Sequence, residues 1–99
     1  MSDSDDSELE NNFSFTLEVS NKMGVHARPA AMIVRIASRF EGDIWVEKEG
    51  EKVNAKSIMG IMMLAAAKGT PLTFHLNSPD STIFQKEMTE LFSSKFQDE

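Results

Sequence analysis

Pro29 stands where the hydrophobic period of the chain changes, and it restricts the fold more than any other single residue. Before it, Phe13, Phe15, Leu17 and Val19 alternate with Ser14, Thr16, Glu18 and Ser20, the period of a half-buried strand. After it, Ile33, Ile36, Ala37 and Phe40 recur at the spacing of a helix with one buried face. Proline has no N–H to donate, so a helix holds it only in the first turn. The helix therefore starts within a residue or two of His26, and Asn21-Lys22-Met23-Gly24 supplies the turn from strand to helix.

A helix start presents unpaired backbone N–H groups and the positive end of the helix dipole, so it can hold an anion near His26. Arg28 adds a permanent cation whose fork suits phosphate. Imidazole is a nucleophile that stays substantially neutral near neutral pH and can carry a phosphoryl group. On these residues alone, a helix-capping histidine is the commoner reading.

The rest of the chain continues the alternation of strands and helices. Glu41-Gly42-Asp43 is predicted as a turn, with Gly42 as terminator of the first helix. A strand from Ile44 to Glu47 and a short extended run through Val53 to Ala55 form a hairpin around Glu49-Gly50-Glu51. Trp45 is predicted to be a partly covered sheet residue. Ser57 caps a second helix, and residues Ile58 to Ala67 are apolar nearly all round. Lys68-Gly69-Thr70-Pro71 ends that helix, after which Leu72, Phe74 and Leu76 alternate with Thr73, His75 and Asn77 as a final strand. His75 reads as an exposed strand residue, since no acid, base or cation stands beside it in sequence. Ser78-Pro79-Asp80 opens the last helix, with proline at its first position, and Phe84, Met88, Leu91 and Phe92 form its core stripe. This order of elements is that of an α+β fold with helices on one face of a mainly antiparallel sheet. A ferredoxin-like arrangement uses nearly the same order, so topology stays open.

Composition narrows the function classes. The net charge of −6 argues against a nucleic-acid partner. Five of the sixteen acidic residues (Asp3, Asp5, Asp6, Glu8, Glu10) fall in residues 1–12, which are predicted to be a disordered acidic tail ahead of a near-neutral domain over 13–99. Cysteine is absent, so there is no disulfide framework and no thiolate metal site, which suits the cytoplasm. The longest apolar run, Ile58 to Ala67, is half the roughly 20 residues a membrane helix needs, so no membrane insertion is expected. No metal-ligand pattern, glycine-rich nucleotide loop or internal repeat is visible, and no cofactor is implied. A small hydrolase with His26 as general base lacks a nucleophile, an acid partner and a pocket in the sequence.

Two blocks carry a resemblance. Gly24-Val25-His26-Ala27-Arg28-Pro29-Ala30 resembles the phosphorylation-site motif of the HPr family, the histidine-containing phosphocarriers of bacterial phosphotransferase systems, and Val53-Asn54-Ala55-Lys56-Ser57-Ile58-Met59-Gly60-Ile61-Met62-Met63-Leu64 resembles its second signature. The likeness runs from about Phe13 to Phe96, with Val25 where leucine or isoleucine is usual and Ser78-Pro79-Asp80 in place of a glycine-containing turn. It implies an open-faced β-sandwich, a four-stranded antiparallel sheet of order 1-4-2-3 covered on one face by three helices. It further implies a phosphocarrier rather than an enzyme: His26 takes a phosphoryl group at Nδ1 from phosphorylated enzyme I, with phosphoenolpyruvate as the original donor, and Arg28 stabilises it. Acceptors would be sugar-specific or regulatory proteins, and the carrier a cytoplasmic monomer serving sugar transport. Ile58, Met59 and Met62 are implied as the partner-docking surface, and Ser57 as a regulatory site for a kinase. By residue type alone, a methionine-rich stripe is more often core. The alternative is a regulatory HPr-like binding module that acts through Ser57 phosphorylation without sugar transport.

Overall fold

The computed structural model describes residues 13–98. The tail expected over residues 1–12 lies outside the described residues, as does Glu99. The elements are β1 (Phe13–Glu18), α1 (Ala27–Ala37), β2 (Ile44–Lys48), β3 (Glu51–Asn54), α2 (Ile58–Met63), β4 (Pro71–Leu76) and α3 (Ser81–Ser93), followed by a terminal turn at Lys95–Asp98. The sheet order is β1-β4-β2-β3 and every pairing is antiparallel. The open-faced arrangement and its strand order stand as expected.

Strand alternation decides which face meets the helices. Phe15, Ile44, Val46, Leu72, Phe74 and Leu76 are buried, while Ser14, Thr16, Glu18 and Trp45 are exposed. Phe74 lies on β4 between Phe15 of β1 and Val46 of β2. Its ring stacks on Phe15 at 5.4 Å and meets Phe84 and Phe92 of α3 edge-on at 5.8 and 6.0 Å. Burial of a phenylalanine contributes about 1.5–3 kcal/mol, and one ring therefore ties two strands to a helix.

Three helix boundaries and one hairpin differ from expectation. Helix α1 ends at Ala37, with Ser38 as its C-cap and Phe40 in the turn beyond, so Gly42 lies past the helix rather than terminating it. Lys56 closes that end instead, donating from Nζ to the carbonyls of Phe40 (2.7 Å) and Gly42 (3.0 Å). The helix expected to run through the apolar stretch after Ser57 stops at Met63, because Leu64 and Ala66 turn inward through Ala65, whose φ is 51°. Finally, α3 begins at Ser81 with Asp80 as N-cap, which leaves Pro79 in the preceding turn, where Ser78 Oγ accepts from the Asp80 N–H. The β2–β3 connection is shorter than expected: Lys48 pairs with Glu51, and the two loop residues, Glu49 (φ 50°) and Gly50 (φ 86°), both have positive φ, as a type I′ hairpin requires.

The chain ends in a left-handed turn. Lys95, Phe96 and Gln97 have φ of 55°, 54° and 62°. Each such L-residue costs roughly 1–2 kcal/mol, and the fully buried Phe96 ring, 5.0 Å from Phe92, offsets part of it.

Candidate functional site

The loop that leads into α1 is fastened from both sides. Gly24 N–H donates to the Asn21 carbonyl (3.3 Å), and the Gly24 carbonyl accepts from Asn21 Nδ2 (2.7 Å) and from the His26 N–H (3.1 Å). The Val25 N–H donates to the Ala66 carbonyl (2.9 Å), tying the loop to the segment that follows α2. Gly24 has φ +75°, and a Cβ there would stand 2.7 Å from the Ala66 carbonyl oxygen. Backbone conformation and close approach both demand glycine at this point.

His26 is the N-cap of α1, with extended backbone (φ −93°, ψ −161°), and its carbonyl accepts from the Ala30 N–H at 2.9 Å. Its half-buried ring makes no capping hydrogen bond to the first-turn amides. Pro29 is the third helical residue, within the first turn as its chemistry demands. Arg28 is exposed on that turn, with Nη1 3.4 Å from Met32 Sδ and Nη2 donating to the Phe96 carbonyl at 3.2 Å.

Ser57 begins α2 as its N-cap, and its hydroxyl accepts from the Gly60 N–H at 2.9 Å, so it caps as read from sequence. Helices α1 and α2 pack against each other, which brings the Ser57 helix beside the His26 helix. On α2, Ile61 is buried, while Ile58, Met59 and Met62 are 39%, 73% and 40% exposed, which excludes the core assignment that residue type favours. Met63 and Met23 are equally open at 71% and 68%, and sequence reading passed over both. For Met63 a signal existed: it follows Met59 by four residues and so shares its face of a helix.

His75, expected to be an exposed strand residue, is half-buried. Its Nε2 donates to Glu47 Oε1 at 2.7 Å, so an acid does stand beside it, supplied by β2. Trp45 pairs with His75 and Glu47 with Thr73, a diagonal that cannot be read before the strands are aligned.

The site is reached from the surface, with Arg28 exposed and His26 half-buried. A groove of about 730 Å³ lies between α1 and α3, and one of about 370 Å³ on the outer sheet face, and neither is lined by His26, Arg28 or Ser57. Among the described residues, no three His, Cys, Asp or Glu gather to hold a metal ion, and no helix is long and apolar enough to cross a membrane.

Comparison with known proteins gives this geometry its family. The family model described as "PTS HPr component phosphorylation site" matches residues 13–94. The phosphocarrier protein HPr of Treponema pallidum is 45% identical over 84 residues, spanning 85% of this chain and 96% of that one. The HPr-like protein Crh of Bacillus subtilis is 45% identical over 83 residues, covering 84% and 93% of the two chains. Among solved structures, HPr of Thermoanaerobacter tengcongensis superposes with a TM-score of 0.81 at 46% identity, over 88% of this chain and 98% of that one, and the same organism's HPr is also solved as a dimer, with a TM-score of 0.68. The chain belongs to the HPr family, the phosphocarrier proteins of the phosphotransferase system.

Proposed function

We propose that His26 is the phosphoacceptor of this carrier, loaded by phosphorylated enzyme I, and that Arg28 stabilises the phosphoryl group. The observation that carries this is the placement of His26 as the extended N-cap of α1, two residues from an exposed arginine. A phosphoryl group there meets the first-turn amides of α1 and the positive end of its dipole. Phosphoryl transfer needs mainly positioning and charge stabilisation, which the partner's active site shares. An open site suits a carrier, because a group held in an enclosed pocket would be slow to leave.

Ile58, Met59 and Met62 form the docking surface in this reading, where flexible thioethers fit several partners in turn. The working unit is residues 13–99, monomeric and cytoplasmic. Incubation with enzyme I and phosphoenolpyruvate tests the reading. The expected product carries one acid-labile phosphate, and an unchanged mass would remove the protein from the relay.

The position of Ser57 supports a regulatory role alongside transfer. Its hydroxyl sits at the N-terminus of α2 next to Ile58 and Met59, so a phosphate would gain from the first-turn amides while placing roughly −2 charge beside the docking residues. Phosphorylated Ser57 should weaken enzyme I binding in a pull-down or calorimetric titration; equal affinity would separate Ser57 from docking.

A further inference from the structure

Sulfur in this chain occurs only as thioether, and the fold gives its methionines opposite degrees of access. The sequence has seven methionines and no cysteine, so no thiolate competes with them for a two-electron oxidant. Met88 of α3 is fully buried in the core, whereas Met59 and Met63 of α2 are 73% and 71% exposed. These two residues are four apart and share one face of the helix, while Ile61 between them takes the buried side. Met62, three residues after Met59, adjoins the same open face. An oxidant in solution reaches a thioether in this position and not one in the core.

We propose that Met59 and Met63 form a reversible oxidation site, at which hydrogen peroxide weakens docking on α2. The inference rests on the reading of α2 as the partner-docking surface. A sulfur lone pair attacks one peroxide oxygen, so that the S–O bond forms as the O–O bond breaks. The proton on the attacked oxygen passes to the departing hydroxide, which leaves as water. Sulfur loses two electrons, the peroxide gains them, and the thioether becomes a sulfoxide. The product places a polar, rigid acceptor where docking buries a flexible apolar group, and a partner with no donor at that point binds it less well. The core keeps its packing, because Ile61 and Met88 are out of reach. Methionine sulfoxide reductase, with two electrons from a thiol pair, returns the thioether and with it the surface.

The test treats the full chain with hydrogen peroxide, removes the peroxide with catalase, and titrates the product with enzyme I in a calorimeter. Peptide mapping should find one added oxygen on each of Met59 and Met63 while Met88 is still a thioether. Affinity for enzyme I should fall by roughly tenfold or more and should return after treatment with the reductase. Met59→Leu with Met63→Leu, whatever its starting affinity, should show no comparable fall on oxidation, since leucine keeps the apolar bulk without the sulfur. Full affinity with both sulfurs oxidised, an equal fall in the leucine pair, or oxidation of Met88 in step with α2 overturns the proposal. If the leucine pair does not bind measurably, the reductase decides: affinity that returns as Met59 and Met63 are reduced supports the site, and affinity that stays low overturns it. Met59→Glu with Met62→Glu separates the two readings. Should that variant bind enzyme I as tightly as the parent, the docking surface fails and the oxidation site with it; should it bind weakly while the doubly oxidised chain binds fully, only the oxidation site fails.

Discussion

At the scale of single residues, the site depends on a few positions that have no alternative. Gly24 is one: alanine would force a Cβ to 2.7 Å from the Ala66 carbonyl at a φ of +75°. Gly24→Ala should destabilise the protein by roughly 1–3 kcal/mol in urea unfolding and also slow phosphoryl transfer, because the same strain displaces the His26 loop. Arg28→Ala should still accept phosphate, but transfer should slow by roughly tenfold to a hundredfold, corresponding to about 1.5–3 kcal/mol for a charge-assisted contact. Unchanged rates in both directions would remove Arg28 from the site. The helix-start positions of His26, Arg28 and Ser57 are legible from local signals, a first-turn proline for the first two and a serine before an apolar run for the third, whereas their proposed roles rest on the family motifs. The partners of Asn21 and His75 were not. Asn21 holds Gly24 through its side chain from within a buried turn, and Glu47 reaches His75 across two strands. Neither follows from neighbours in sequence.

At the scale of elements, α2 and its N-cap Ser57 hold the residues proposed for docking and for regulation next to one another. Replacing Met59 and Met62 together by glutamate should weaken enzyme I binding by at least an order of magnitude with little change in unfolding midpoint, since their side chains lie on the open side of the helix while Ile61 faces the core. Unfolding of the double variant would make them core residues after all. Hydropathy alone extends this helix too far for a physical reason. Leu64 and Ala66 are as apolar as the residues before them, but they are buried through a positive-φ turn at Ala65 rather than by continuing the helix. Hydropathy reports burial, not the backbone path that achieves it. The same limit applies to Pro79, which looks suited to a first helical turn and serves the turn before it.

At the scale of the molecule, the order β1-β4-β2-β3 places the last strand in the middle of the sheet, so β4 pairs with both β1 and β2. Element order alone allowed this arrangement and a ferredoxin-like one, and only the two family motifs distinguished them before the strands were seen. Phe74 is the residue on which this closure converges, through Phe15, Phe84 and Phe92. Phe74→Ala should cost about 3–5 kcal/mol by denaturant unfolding, and a loss below 1 kcal/mol would contradict the packing described for the centre of the sheet. Helices on one face leave the other face of the sheet outside the core and bring α1 and α2 side by side, with the methionines of α2 exposed; this is the surface proposed for partner docking.

In the proposed function that surface presents one imidazole, and the most direct measurement compares the full chain with its His26→Ala variant under enzyme I and phosphoenolpyruvate. Both should unfold at closely similar temperatures, since the helix-start hydrogen bond from the Ala30 N–H goes to the His26 backbone carbonyl, which alanine keeps. The parent should gain one acid-labile phosphate and lose it again to an acceptor, whereas the variant should gain none. A folded His26→Ala protein that is still phosphorylated by enzyme I would contradict the assignment of His26.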